Sequence, residues 1–528
     1  MSNLAPRTRL LVLLAGLTLV ALATLWLVDA RVGRLWLNTA WLVGGAWLVA
    51  LPLGTLAAVA IFKTDVPGRW FAAVLLTAML FIPLFLVTGA WDAGFGIQGW
   101  HTLANNPHLA HKPWLAGWRA AIWIHGLAAV PWVVLIVGAG LRGVEAELEE
   151  DAALCASPAQ VVWHVTLPRS IAAITVAALW VAIVASAEIS VTDFFQVRTF
   201  AEEVYTQSAL GAFDGGTEQG AGSKEQQSPP ALTARGLWLG LLLSTVLALI
   251  AVVAGWQLVT GFTEAPQRLP WVWRLGRLRW PAAAGLWSIL LLVAGVPCGS
   301  FIYKAGVAVT ITDTGRERHW SAAKAIERVV AAPGEFRGEL ETSTAIGTAA
   351  ALAALIIGLP LAWSLRFARR TPWLRLAALS LCLTIPGPLL GIGLIHILNQ
   401  PPDSLFAPLA YLYDSIFAPW LAQTLRALPL VTLILWAALD TVPQAMLDAA
   451  AIDGCGWWGR LTRIALPQRW PAVVAAWLVG LAIAVGELAA TVLVMPPAKS
   501  TTISIRVFGL LHYGVDDRVA AICLVFII

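Results

Sequence analysis

The sequence has 528 residues, of which 59% are hydrophobic and 12% charged, with a formal net charge of +4. A soluble domain carries about twice that charged fraction, so the composition excludes a water-facing globule and leaves a chain surrounded mostly by lipid; the mean hydropathy of +0.78 agrees. The small net charge gives no case for a nucleic-acid partner, and Cys155, Cys298, Cys382, Cys455 and Cys523 form no CxxC pair, which argues against a zinc site and a disulfide framework.

Crossing a bilayer core takes about 20 apolar residues as helix. In chain order, stretches without Asp, Glu, Lys or Arg cover residues 10–28, 35–62, 70–91, 120–141, 170–187, 236–263, 280–303, 342–365 and 376–402. Two further spans carry one charge each: 419–439 holds Arg426, and 470–494 holds Glu487. A last apolar run begins near residue 519 and is too short to span alone, so the chain is expected to stop inside its final helix. Arg7 and Arg9 precede the first stretch, as in a signal peptide. Its apolar core is long, however, and no A-x-A site closes it, so an uncleaved first helix is expected. The 28 tryptophans suit many crossings, because Trp favours the membrane–water interface.

Lys and Arg mark the cytoplasmic side. With the N-terminus in the cytoplasm, the cytoplasmic connections hold Lys63 and Arg69, Arg142 and Arg169, Arg268 to Arg279, Arg366 to Arg370, and Arg460 with Arg463. The outer loops are then 92–118, 198–234, 304–341 and 403–418, the last without Lys or Arg. Residues 211–230 are rich in Gly, Gln and Ser and read as a solvated segment. Residues 311–338 are charged and polar, with room for a short helix, and 268–279 reads as a basic linker.

An internal repeat organises these spans. Glu149-Glu150-Asp151-Ala152-Ala153 runs on to Thr166-Leu167-Pro168, and Asp448-Ala449-Ala450-Ala451-Ile452-Asp453-Gly454 runs on to Ala465-Leu466-Pro467. The acid-to-proline spacing is 19 residues in both, and Glu188 and Glu487 each lie 20 residues past their proline. Gly54 in the earlier apolar run has a counterpart in Gly358. Each half holds about six spans, with the acidic loop between the fourth and fifth: residues 1–265, a basic linker 266–282, and 283–528.

The repeated segment resembles the EAA loop of bacterial ABC importer permeases: an acid, Ala-Ala, a Gly, and a closing hydrophobic-x-Leu-Pro. Asp448, Ala449, Ala450, Gly454, Ile464, Leu466 and Pro467 match position by position, with Asp for Glu. In the first copy Glu149, Val165, Leu167 and Pro168 match, while Glu150 and Asp151 replace the two alanines and Cys155 replaces the glycine. The resemblance implies an all-α integral membrane fold of about twelve transmembrane helices, as two tandem six-helix halves in the bacterial inner membrane. It implies that the two loops, through Glu149, Glu150, Asp151, Ala152, Cys155, Leu167 and Pro168 and through Asp448, Ala449, Ala450, Gly454, Leu466 and Pro467, couple to a separate ATPase homodimer. A periplasmic solute-binding protein would deliver the cargo. The leading acid suits a helix N-terminus, the small residues a close fit, and the proline the first turn of the next helix. No GxxxxGK[ST] loop is present, so ATP and magnesium are expected on partner subunits, with no cofactor on this chain and no enzymatic activity of its own.

Residues 189–207 and 51–70 resemble the ferric-iron importers most; fused thiamine, phosphonate and polyamine permeases share the architecture. A secondary transporter is the alternative of another class, but its repeats are often inverted, whereas these run parallel. Glu188 and Glu487 lie within apolar stretches, which makes them candidates for a translocation path or gate. Rising 1.5 Å per residue, each sits about 30 Å beyond its proline, near the outer end of its helix. The other reading is a carboxyl hydrogen-bonded within the bundle, or already at the headgroups. Arg426 is expected to snorkel or to pair with an acid. His101, His108 and His111 cluster in an outer loop that reads mainly as solvated, and any metal site is left unknown.

Overall fold

Where no water can reach the backbone, only a helix satisfies every N–H and C=O within one segment. The apolar stretches obey this. The computed structural model describes residues 30–105, 113–210, 244–246, 271–312, 315–367, 372–496 and 501–527. Among the described residues six helices are long and apolar enough to cross a membrane, or nine when each of three bent pairs counts as one span. The expected spans at 10–28 and 236–263 lie outside the described residues, apart from 244–246, as do the segment 211–230, His108 and His111.

The first repeat opens with α1 (Ala30–Lys63), then a bent pair, α2 (Arg69–Met79) and α3 (Leu84–Phe95), and a short α4 (Trp100–Asn105). Next come α5 (Gly117–Arg142), the loop helix α6 (Ala146–Ala153), α7 (Pro158–Arg169), α8 (Ile171–Ala187), α9 (Ser190–Phe194) and α10 (Phe200–Ala209). The second repeat opens with α11 (Gly276–Gly306), followed by an antiparallel hairpin of β1 (Val307–Thr312) and β2 (Gly315–Trp320), and α12 (Ala322–Glu335). Then α13 (Arg337–Arg366), the bent pair α14 (Pro372–Thr384) and α15 (Gly387–Leu398), α16 (Leu409–Tyr413) and α17 (Phe417–Asp440) lead to the second loop helix, α18 (Gln444–Ile452). It closes with α19 (Trp457–Gly486), α20 (Thr491–Val494), α21 (Ile503–His512) and α22 (Asp517–Ile527).

Two stretches that read as continuous spans, 70–91 and 376–402, are sharply bent. Helices α2 and α3 meet at 105°, and α14 and α15 at 106°. An Ile-Pro pair sits at each break, and Pro83 and Pro386 are N-caps with ψ of 147° and 140°. Proline cannot donate the helical bond and drives its predecessor out of the α region. The β hairpin is a second departure: five of the six residues Val307–Thr312 are β-branched, a strand composition within the outer loop expected at 304–341, whose part 311–338 reads as charged and polar with room for a short helix. That helix is present as α12.

Lipid gives helices no hydrophobic reason to associate, so close packing at small residues must do it. The central contacts obey this in both repeats, α1 against α5 and α13 against α17. A Cβ on Gly54 would stand 2.5 Å from the Val133 side chain, and one on Gly358 would stand 2.9 Å from Thr432 Oγ1. The repeats also exchange elements. Helix α11 packs on α1, α2 and α3, with Leu286, Leu290 and Val293 in the same core as Leu42 and Ile61. Phe200 and Val204 of α10 join a core with Leu389 and Ile392 of α15.

Candidate functional site

The two acidic loops adopt one geometry in matching register. Each begins with a short helix, α6 or α18, and re-enters through a π turn, Val162–Thr166 or Arg460–Ala465. The Leu-Pro pair follows, and the backbone then leaves helical values at Ser170 (φ −91°, ψ 6°) and at Arg469 (φ −117°, ψ 18°). Each kink lies two residues past its proline, and α7 and α8 diverge there by 66°. Contrary to expectation, Pro168 and Pro467 do not open new helices: they follow the π turns within α7 and α19, and Thr166 and Ala465 ahead of them already have helical φ/ψ.

The chemistry at the head of the loops differs. Glu149 lies in the first turn of α6 but is fully buried. Its Oε2 meets Lys63 Nζ at 2.6 Å, both side chains having no exposure, and its Oε1 accepts the Thr166 hydroxyl at 2.7 Å. Asp448 lies beyond the first turn of α18, is exposed, and accepts from Gln444 Nε2 at 2.8 Å. The helix-dipole argument therefore fits the first acid only. Asp151 and Cys155 are exposed, Glu150, Ala152 and Leu167 half-buried; Ala449 is exposed, Ala450 buried and Leu466 half-buried.

Gly454 was read as a small residue for a close fit. A Cβ there would meet nothing within 4 Å, but its φ is +83°. Cys455 N–H donates to Ala450 O at 2.9 Å and Gly454 N–H to Ala451 O at 3.1 Å, which closes α18 in a Schellman motif. The requirement is thus for a left-handed residue. Cys155 at the matching place has no positive φ, so α6 ends without that turn.

The two later acids meet in one cavity. Glu188 and Glu487 are the C-caps of α8 and α19, in extended conformation. Glu188 accepts the N–H groups of Ser190 (2.7 Å) and Val191 (3.1 Å), and Glu487 that of Ala490 (2.6 Å). Each carboxylate thereby caps the turn that resumes the chain. Each also faces a base: His125 Nε2 lies 3.6 Å from Glu188, and Arg426 Nε 3.5 Å from Glu487. Both pairs line one cavity of about 250 Å³ between the repeats, walled by Trp132, Trp180 and the α2–α3 break. Both readings of these acids describe part of the arrangement, since the carboxyls are hydrogen-bonded and also line a shared cavity.

Arg426 pairs with an acid, as expected, and also donates to Ile385 O at 2.9 Å. His125, Lys63 and Thr166 were not singled out by the sequence. One signal could have found His125: it precedes Glu188 by 63 residues and Arg426 precedes Glu487 by 61, so the bases sit within about one turn of each other on equivalent helices. His101 packs 4.9 Å from the Phe95 ring, and among the described residues no three His, Cys, Asp or Glu side chains come together as a metal site.

Residues 350–528 match the family described as binding-protein-dependent transport system inner membrane component. That match runs from within α13 through the second loop and Glu487. The trehalose transport system permease protein SugA of Mycobacterium tuberculosis is 40% identical over 78 residues, 15% of this chain and 25% of the relative, so the chain spans about a quarter of that relative's length. The putative 2-aminoethylphosphonate transport system permease protein PhnV of Salmonella paratyphi A is 28% identical over 190 residues, 36% of this chain and 68% of the relative. Its counterpart in Salmonella typhi is 27% identical over the same length.

Proposed function

We propose that this chain is the permease subunit of an ATP-driven importer in the bacterial inner membrane, with its N-terminus in the cytoplasm. In this reading the two halves, 1–265 and 283–528, are joined by a cytoplasmic linker. A periplasmic binding protein delivers the solute, and the solute passes between the repeats through the cavity held by Glu188 and Glu487. Two copies of a separate ATPase bind ATP and magnesium and grip the loops at Glu149 to Pro168 and Asp448 to Pro467. The observation that carries this is the duplicated loop, with π turn, Leu-Pro and kink in the same register, in a chain whose second repeat matches a permease family. A short cytoplasmic helix with an exposed apolar end, Leu154 in one copy and Ile452 in the other, suits a cleft on a motor protein.

For the cargo, the resemblance of residues 189–207 and 51–70 supports ferric iron. The lining of the cavity favours a second reading. Two acid–base pairs and two tryptophans suit a small polar or zwitterionic organic solute, the class to which 2-aminoethylphosphonate belongs.

The test is reconstitution of the full chain with its cognate ATPase and binding protein in vesicles. Ala449 is exposed, so Ala449→Glu leaves the bundle intact. It is expected to cut ATP-dependent uptake by tenfold or more, roughly what 1.4 kcal/mol of lost coupling amounts to, and Gly454→Asp to do the same. Uptake that runs on a proton gradient with no ATPase present would replace this reading with a secondary transporter. Competition of labelled ferric iron against 2-aminoethylphosphonate decides the cargo.

A further inference from the structure

The acids that head the two loops meet opposite surroundings, and the difference reaches beyond the loops. Lys63, which holds Glu149, is the last residue of α1. Its carbonyl accepts the Trp273 N–H at 2.8 Å, and the Asp65 N–H donates to the Trp273 carbonyl at 3.1 Å. Asp65 Oδ1 accepts the Leu275 N–H at 2.9 Å. The first loop, a membrane helix and the segment joining the repeats are therefore tied at one point. The second loop is tied in another way: Arg366, the last residue of α13, donates to the carbonyls of Leu439 and Val442 just ahead of α18 and lies 3.4 Å from Gln444 Oε1 in its first turn, and among the described residues no buried ion pair holds its acid. Phe367 occupies the place of Lys63, as many residues past Gly358 as Lys63 is past Gly54, and the exposed Asp448 bonds within its own helix. The second loop also ends in a left-handed, hydrogen-bonded cap at Gly454 that the first lacks.

A buried ion pair cannot part without leaving a bare charge in a medium of low dielectric. Any displacement of α6 must then carry α1 and the joining segment with it, whereas α18 is held to α13 through guanidinium bonds to neutral acceptors, with its acid on the surface. Resting on the permease reading above, we propose that Lys63 and Thr166 are positioning residues that lock the first loop to α1, so that two identical ATPase subunits meet one loop locked by a buried ion pair and one held more loosely by hydrogen bonds to neutral acceptors.

The experiment uses the full chain in lipid nanodiscs, alone and then with its ATPase and binding protein in vesicles. Lys63→Met with Glu149→Leu removes the pair while keeping apolar volume, an exchange that buried ion pairs often tolerate. Thr166→Val loosens the carboxylate without exposing a charge, and Lys63→Arg is the conservative control. Amide hydrogen exchange over 146–153 is expected to be slower than over 444–452 in the unaltered chain. In the double variant it should rise about tenfold over 146–153 alone, as for loss of a local tie. The ATPase is still captured, but ATP hydrolysed per solute carried rises several-fold. Thr166→Val gives a smaller change of the same kind, and Lys63→Arg restores both readouts. Equal exchange over the two segments in the unaltered chain overturns the inference, as does an unchanged hydrolysis-to-uptake ratio in the double variant. Failure of the unaltered chain to capture an ATPase instead overturns the permease reading, and the exchange contrast still decides whether the first loop is locked.

Discussion

Single side chains decide how this bundle tolerates its charges. Glu202 on α10, outside the membrane spans, is buried, with Oε1 accepting from Thr206 at 2.8 Å and Oε2 without a hydrogen-bond partner among the described residues. Burial pushes its pKa up from 4.5 to about 7. Between those values the folded chain keeps a proton that the unfolded chain has lost, so stability falls as pH rises from 4.5 through 7 and then levels off. Glu202→Gln should therefore gain on the unaltered chain across that window. Thermal unfolding in detergent at pH 5 and pH 8 checks it: the drop between the two should shrink in the variant. What the sequence made legible at this scale followed from spacing. Glu188 and Glu487 stood out because each lies 20 residues past a repeated proline. Lys63 did not, because its partner is 86 residues away and a lysine at a helix end is ordinarily a solvated marker of sidedness. His125 did not stand out either, because its only signal is a spacing to Glu188 that shows once Arg426 and Glu487 are taken as the matching pair.

Helices pack here through missing side chains, and that can be measured on one element. Gly54 and Gly44 both lie on α1. A Cβ at 54 would collide with Val133, whereas one at 44 would meet nothing within 4 Å. Gly54→Ala should cost about 1–3 kcal/mol through overpacking, while Gly44→Ala should be neutral or gain up to about 1 kcal/mol from helix propensity. Unfolding midpoints of the two variants in the same detergent provide the comparison, and equal shifts would contradict the packing assigned to α1 and α5. The existence of the spans was legible from composition alone. Their shape was not: the Ile-Pro pairs at 82–83 and 385–386 lie inside windows with no charge to interrupt them, so length and hydropathy passed over breaks of 105° and 106°. The strand β1 was hidden in the same way, by the polar residues that follow it.

The molecule as a whole is two repeats that trade parts. Helix α11 belongs to the second repeat by sequence but lies against α1, α2 and α3 of the first. Chain order foretold the duplication and could not foretell this exchange, because the repeat pattern says which helices correspond and not which bundle each joins. Gly94 and Ser300 give a direct test. A Cβ built on Gly94 stands 3.5 Å from the Ser300 Cβ, within reach of a disulfide. In a background with the five natural cysteines replaced, Gly94→Cys with Ser300→Cys should cross-link on mild oxidation. After cleavage at a protease site engineered into residues 266–270, the two fragments should migrate together until reduced. Free migration without reductant would place α11 elsewhere.

A π turn is a helix wound with one residue too many, and each loop carries one just before its Leu-Pro pair. That surplus residue sets the rotational phase of everything downstream. Deleting it would rewind the turn as ordinary α-helix and rotate the following segment by about 100°, swinging the ends of α8 and α19 away from the cavity their acids now share. The two loops therefore act as indexing teeth: their length, counted to the single residue, aims Glu188 and Glu487 at the same space.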